Sequence, residues 1–368
     1  MSPVAVDRLG AGRDVDTSEA PPGVTIATNQ LTTADGAKVE GVLYAVDGAT
    51  AVVTVMHPRQ SLTHHPMIPE FLRAGVSVWT QGTRSPNNDI ALVHEQALLD
   101  AAAGHVLLRD LGFEAVLTFG HSGGGTLSAF YIEQAGTEPA GARMPVPDGA
   151  IFLAPHPGQG QVLRHCIDPS VVDEADPMSV DPALDMYAGR NGFAAPPEPS
   201  RYSADFVAAY RAAQAERIAR IDARALAAAD EVARARARFS RSKDPADRRA
   251  ALAPHILTTY RTDADPAYVD PTIEPNDRHY GSLFGHRPDL INYGLVGFGR
   301  LTTPDSWLST WSANHTRADF VRCAPGVTVP TLYLEFSGDQ AARPAAGARM
   351  VAALGAADLT HHVVRGQH

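Results

Sequence analysis

Residues 115–128 read AVLTFGHSGGGTLS. The first five are apolar and suit a strand buried on both faces of a parallel sheet. The run 124–135 has the composition of a helix. Between them, Gly120-His121-Ser122-Gly123-Gly124 fits the pattern G-x-S-x-G. A serine on a sharp strand-to-helix turn takes a strained backbone conformation, and its neighbours must have almost no side chain. Gly120 and Gly124 let strand and helix approach each other. Ser122 is then exposed at the carboxyl end of the sheet, over a helix N-terminus that favours negative charge. A phosphate-cradling loop fits less well, because the segment has no lysine and no G-x-G-x-x-G.

The chain on either side alternates strand and helix signals. Two strands over 23–46 flank the turn residues Ala34-Asp35-Gly36. A buried strand follows at 51–56, a helix at 64–74 and a strand at 76–80. An amphipathic helix is expected over 89–110, with Asn88 and Asp89 as N-cap types. Strands at 115–119 and 149–154 bracket the helix at 124–135. At Pro155 the rhythm stops. Residues 159–327 hold Pro-rich loops over 177–200, an Ala/Arg-rich helix or helix pair near 203–240, and a loop-rich, aromatic stretch over 262–327. The rhythm resumes with a strand at 330–336, a helix at 343–354 and a strand at 359–364. This pattern predicts a mostly parallel α/β sheet with helices on both faces. Residues 23–158 and 328–368 form it in two pieces, around a large, mainly helical inserted cap at 159–327. Residues 1–22 read as a loose polar arm.

Composition narrows the function. The 368 residues are 44% hydrophobic and 20% charged, with a formal net charge of −10. That balance argues against a nucleic-acid partner or an anionic membrane surface. No stretch approaches 18 uninterrupted apolar residues, so no membrane span is expected. The N-terminus lacks the basic and apolar regions of a signal peptide, and a cytoplasmic location is expected. Cys166 and Cys323 are far apart and read as free thiols.

With these residues in place, the chain resembles the α/β-hydrolase superfamily over roughly 23–158 and 328–368. The resemblance implies a serine nucleophile, then an acid, then a histidine. A serine hydroxyl needs a base, and the base needs a carboxylate to orient it. The family places the acid after the strand that follows the cap, which is Asp339 in YLEFSGDQ; Glu335 competes from within the strand. The base belongs after the last strand, where His368 ends VVRGQH. His361 and His362 are the alternatives. The oxyanion hole needs two backbone N–H donors. Gly123 supplies one. The family's other donor loop usually reads His-Gly-x, and here it is His57-Pro58-Arg59. Proline has no N–H, so Arg59 is the expected donor. Its guanidinium either faces the pocket, where it would pair with a substrate carboxylate or carbonyl, or is solvated or pairs with the cap.

His57, His121 and His156 are expected in the pocket wall, as are Trp307 and Trp311 of the cap. The histidines lack the spacing of a metal site, and no metal or cofactor is implied. The expected partner is a small-molecule substrate; a homodimer is compatible with the sequence. The expected reaction is hydrolysis of an ester or lactone of a bulky, partly apolar molecule through an acyl-enzyme. A C–C bond hydrolase or thioesterase would use the same residues. A non-catalytic binding protein of this fold is the rival from another class. Dehalogenase and epoxide hydrolase chemistry is disfavoured, because those relatives carry Asp at the turn.

Overall fold

A computed structural model describes residues 21–137 and 141–368. The arm expected over 1–22 falls outside it except for its last two residues. Apolar β-branched runs and two-residue periodicity set the strands. β1 (Val24–Thr32), β2 (Lys38–Val46), β3 (Ala51–Met56), β4 (Ser77–Gln81), β5 (Ala115–His121) and β6 (Gly149–Leu153) come first. The short β7 (Leu257–Thr258) and β8 (Leu301–Thr302) pair only with each other. β9 (Thr331–Gly338) and β10 (Leu359–Gln367) complete an eight-stranded sheet of order β1-β2-β4-β3-β5-β6-β9-β10. β1, β2 and β4 join through antiparallel pairs, and the remaining neighbours are parallel.

Alternate residues of the central strands face opposite layers. Val53, Val55 and Phe119 pack with Ile68 and Leu72 of α1 (Ile68–Arg73). Met56 and Phe152 face the other way, onto α2 (His94–Asp110) and α3 (Gly123–Ala135). Helices therefore cover both faces.

Residues inserted between β6 and β9 build a second core. It contains α4 (Gln159–Cys166), the 39-residue α5 (Ala204–Ser242) and α6 (Pro245–Leu252). Tyr210, Ile218 and Ile221 of α5 pack there with Trp307 and Trp311. Polar side chains share the buried stripe: Arg217 is fully enclosed, paired with Glu174 through two hydrogen bonds of 2.8 and 2.7 Å.

Two boundaries differ from the sequence reading. The helix expected from 89 begins at His94. Asn88 caps only a short 3-10 turn over Asp89–Ala91. The carbonyls that would continue a helix are taken instead: Asp89 O accepts from Ser306 Oγ at 2.6 Å, Ile90 O from Thr303 N at 3.0 Å and Leu92 O from Thr310 Oγ1 at 2.8 Å. The insert also ends earlier in packing terms than residue 327. Ala318, Phe320, Cys323 and Val327 belong to the sheet's own core. Phe320 lies 5.0 Å from Phe152, ring to ring.

Candidate active site

Ser122 stands between β5 and α3 with φ 54° and ψ −124°. A non-glycine residue at that φ is strained, and the surroundings must hold it. Its N–H donates to Leu153 O at 3.2 Å, and its carbonyl accepts from Gly125 N at 3.0 Å and His156 N at 3.2 Å. The glycines make the turn fit. A Cβ on Gly120 would stand 2.5 Å from Gly125 Cα, and one on Gly124 would stand 2.5 Å from Met56 O. Gly125, absent from the expected pattern, abuts Pro155, where a Cβ would come within 2.4 Å of the ring carbon.

The Ser122 hydroxyl meets His368 Nε2 at 2.8 Å. On the other side of the ring, His368 Nδ1 lies 3.0 Å from both carboxylate oxygens of Asp339. Asp339 is buried at 2% exposure, and its Oδ1 also accepts from Ala341 N at 2.7 Å and Ala342 N at 2.9 Å. The competitors are elsewhere. Glu335 pairs with His361 at 3.1 Å on β9 and β10, and His362 is exposed on β10.

His368 reaches this position through an irregularity in β10. The β9–β10 register shifts between Val364 and Gln367, which turns the chain end toward the serine. Gln367 is clamped by the insert: its Nε2 donates to Asp277 O at 2.9 Å and its Oε1 accepts from His279 N at 3.0 Å. Asn276 Nδ2 donates to Asp339 O at 2.8 Å. One insert loop thus braces both residues behind the serine.

The 57–60 loop departs from expectation. The Arg59 N–H donates to His57 Nδ1 at 3.1 Å, as does the Gln60 N–H at 3.1 Å. The Arg59 amide is therefore turned to an imidazole in place of the oxyanion position. Its guanidinium is also engaged, in a bidentate pair with Asp89 at 2.7 and 2.8 Å and over the rings of Phe298 and Trp311. It donates to Gly297 O of the insert at 3.3 Å and also lines the cavity beside Ser122.

Ser122 and His368 open onto a cavity of about 670 Å³. His57, Arg59, His121 and His156 line it. The His121 ring lies 5.8 Å from that of His368, and its Nδ1 is 3.0 Å from His65 Nε2. Trp307 and Trp311 do not line the cavity. Both are fully buried in the insert's core, where Trp307 Nε1 donates to Asp222 at 2.7 Å. Indole area is better buried against neighbouring helices than held at a wet wall. From the same region, Leu283 and Phe298 supply apolar wall. Gln159, at the start of α4, is a wall residue the sequence reading missed. Its signal was the glycine at 123, a position that the turn pattern leaves free for a side chain.

Burial keeps His57 and His156 neutral. It drives His57 well below the ordinary imidazole range, with His156 and Arg59 adding repulsion. It lowers His156 to about 3, with His368 next in effect. Cys166 and Cys323 are buried free thiols. Among the described residues, no group of His, Cys, Asp and Glu is arranged to hold a metal ion, and no helix is long and apolar enough to cross a membrane.

This sheet order, with a serine turn after β5 and an insert after β6, is the α/β-hydrolase fold. A solved structure agrees in fold, and two others are similar. The α/β hydrolase GrgF from Penicillium sp. sh18 superposes with a TM-score of 0.50 at 10% identity, over 94% of this chain and 91% of its own. DcsB, solved in complex with a substrate analogue, gives 0.49 at 13% identity, over 93% and 90%. Brefeldin A esterase, a bacterial homologue of human hormone-sensitive lipase, gives 0.48 at 13%, over 96% and 72%. At such identities the likeness is one of fold. No family model and no curated protein sequence matches the chain.

Proposed function

We propose that this protein is a serine hydrolase that cleaves a carboxylic ester or lactone of a partly apolar small molecule. The observation that carries the reading is the connected line from Ser122 Oγ through His368 to Asp339, with hydrogen bonds of 2.8 and 3.0 Å. In the mechanism it supports, Asp339 accepts from His368 Nδ1–H and fixes the tautomer that leaves Nε2 free to accept. Ser122 adds to the ester carbonyl carbon as its proton passes to His368 Nε2. The tetrahedral intermediate then collapses, and the leaving alkoxide takes that proton. Water attacks the acyl-serine with His368 again as base, releasing the acid and restoring the serine.

As the first residue of α3, Gly123 has an N–H with no intrahelical acceptor, available to the developing oxyanion. The cavity volume falls in the range of small-molecule sites, about 300–1,000 Å³, and Leu62, Met67, Val162, Leu283 and Phe298 make much of its wall apolar. Both features support a partly apolar substrate.

Ser122→Ala tests the reading directly. Wild-type protein is expected to be labelled by a fluorophosphonate at Ser122 and to hydrolyse p-nitrophenyl esters, and the variant to do neither. Undiminished labelling of the variant would remove Ser122 as the nucleophile.

A further inference from the structure

Three side-chain nitrogens crowd the residue that follows the nucleophile. A Cβ on Gly123 would stand 2.6 Å from Gln159 Nε2, 2.8 Å from His57 Nε2 and 2.9 Å from His156 Nε2. Real Cβ contacts are not that short, so any larger residue here would push these side-chain ends aside. The three nitrogens come from the loops after β3 and β6 and from the first turn of α4, yet they surround one point beside Ser122. All three side chains line the cavity that Ser122 opens onto.

Hydrogen bonding fixes what the histidines present. His57 Nδ1 accepts two backbone N–H groups at 3.1 Å. His156 Nδ1 accepts from Gly158 N at 3.0 Å. A ring nitrogen that accepts carries no proton, so each neutral imidazole bears its hydrogen on Nε2. Burial keeps both rings neutral. Two uncharged N–H donors therefore point to the same place. Gln159 is 2% exposed and sits beside the His94 imidazole, and neither of its amide atoms is in a well-formed hydrogen bond. A buried amide left so is costly, and an arriving oxygen would relieve it.

We infer that His57 and His156, assisted by Gln159, form a side-chain oxyanion pocket together with the Gly123 N–H. The inference rests on the serine-hydrolase reading above. When Ser122 Oγ bonds to the carbonyl carbon, the carbonyl π pair moves onto its oxygen while the serine proton goes to His368. That oxygen accepts hydrogen bonds from the two Nε2–H groups. On collapse the pair returns to the carbonyl, and His57 and His156 keep their protons throughout. The arrangement accounts for the second donor. The Arg59 and Gln60 amides, turned away from substrate, aim His57 instead.

The test uses fluorophosphonate labelling and turnover of p-nitrophenyl butyrate. His57→Leu and His156→Leu are each expected to lower kcat and the labelling rate about 10²-fold, with KM little changed. His57→Gln, which returns an amide donor, is expected to recover part of the loss. A structure of the phosphonylated wild-type protein gives a readout independent of variant folding. The phosphonyl oxygen is expected about 3 Å from an imidazole Nε2. An oxygen held by backbone amides alone, or leucine variants that label at the wild-type rate, would overturn the pocket and leave Ser122 standing. Wild-type protein that does not label at Ser122 would overturn both readings.

Discussion

At the residue scale, Ser122, Asp339 and His368 each stand just past the end of a strand, β5, β9 and β10, so parallel pairing brings all three to the carboxyl end of the sheet. Asp339 was separable from Glu335 because strand periodicity keeps Glu335 within β9. The fate of the Arg59 amide was not legible. It depends on His57 folding back onto its own loop and on Asp89 and Phe298 drawing the guanidinium away, contacts that span up to 239 positions. The two tryptophans were misassigned for a related reason: composition reports an aromatic cluster but not which way it faces. Asp339 carries the prediction at this scale. Asp339→Asn keeps the shape but offers His368 Nδ1 a competing amide, which favours the wrong tautomer. A drop in kcat of about 10³–10⁴-fold is expected, with Ser122 labelling slowed in parallel. Near-normal presteady-state acylation in that variant would remove the carboxylate from the mechanism.

At the scale of elements, the turn between β5 and α3 is a packing solution as much as a motif. The pattern G-x-S-x-G specifies Gly120 and Gly124, yet the tightest approach to the neighbouring loop is at Gly125. There a methyl would meet Pro155 Cβ at 2.4 Å and Pro155 Cα at 3.1 Å. Pro155 opens the loop that carries His156, so displacing it moves the wall beside the serine. Gly125→Ala is expected to cost about 2 kcal/mol in urea unfolding and to lower esterase activity. Gly136→Ala is the control. It ends the same helix at φ −72° with open space around it, and should change stability by less than about 0.5 kcal/mol. Equal effects at the two sites would refute the packing argument. The late start of α2 belongs to this scale too. Local cap residues predicted a helix from 89, and tertiary hydrogen bonds from the insert claimed those carbonyls first. Periodicity reveals an element, but what its ends bond to is settled by segments more than 200 residues away.

For the whole molecule, buried imidazoles tie stability to pH. Burial lowers His94 to about 4, His105 and His156 to about 3, and His57 well below the ordinary value of 6.5. In the unfolded chain all four titrate near 6.5. Below that pH the unfolded state binds protons that the folded state refuses, so stability is fully present above 6.5 and is lost as pH falls toward 4. Asp263 works against this. Burial raises it to about 7, so between pH 7 and about 4 the folded form keeps a proton that the unfolded chain has released, which favours folding as pH falls. His165 is lowered as well, and burial also raises Asp100 and Asp185, so five imidazoles against three carboxyls leave a net uptake on unfolding of up to two protons. That corresponds to at most about 3 kcal/mol per pH unit, large beside a total stability of about 5–15 kcal/mol. The urea midpoint is therefore expected to fall steeply between pH 6 and 5. His105 offers the cleanest check, because it stacks on Tyr131 at 4.6 Å and does not line the catalytic cavity. His105→Gln should reduce the slope by about 1.4 kcal/mol per pH unit without altering the pH dependence of Ser122 labelling. A midpoint that stays flat from pH 7 to 5 would mean these histidines take up protons in the folded protein, and would contradict the neutral donors assigned to His57 and His156.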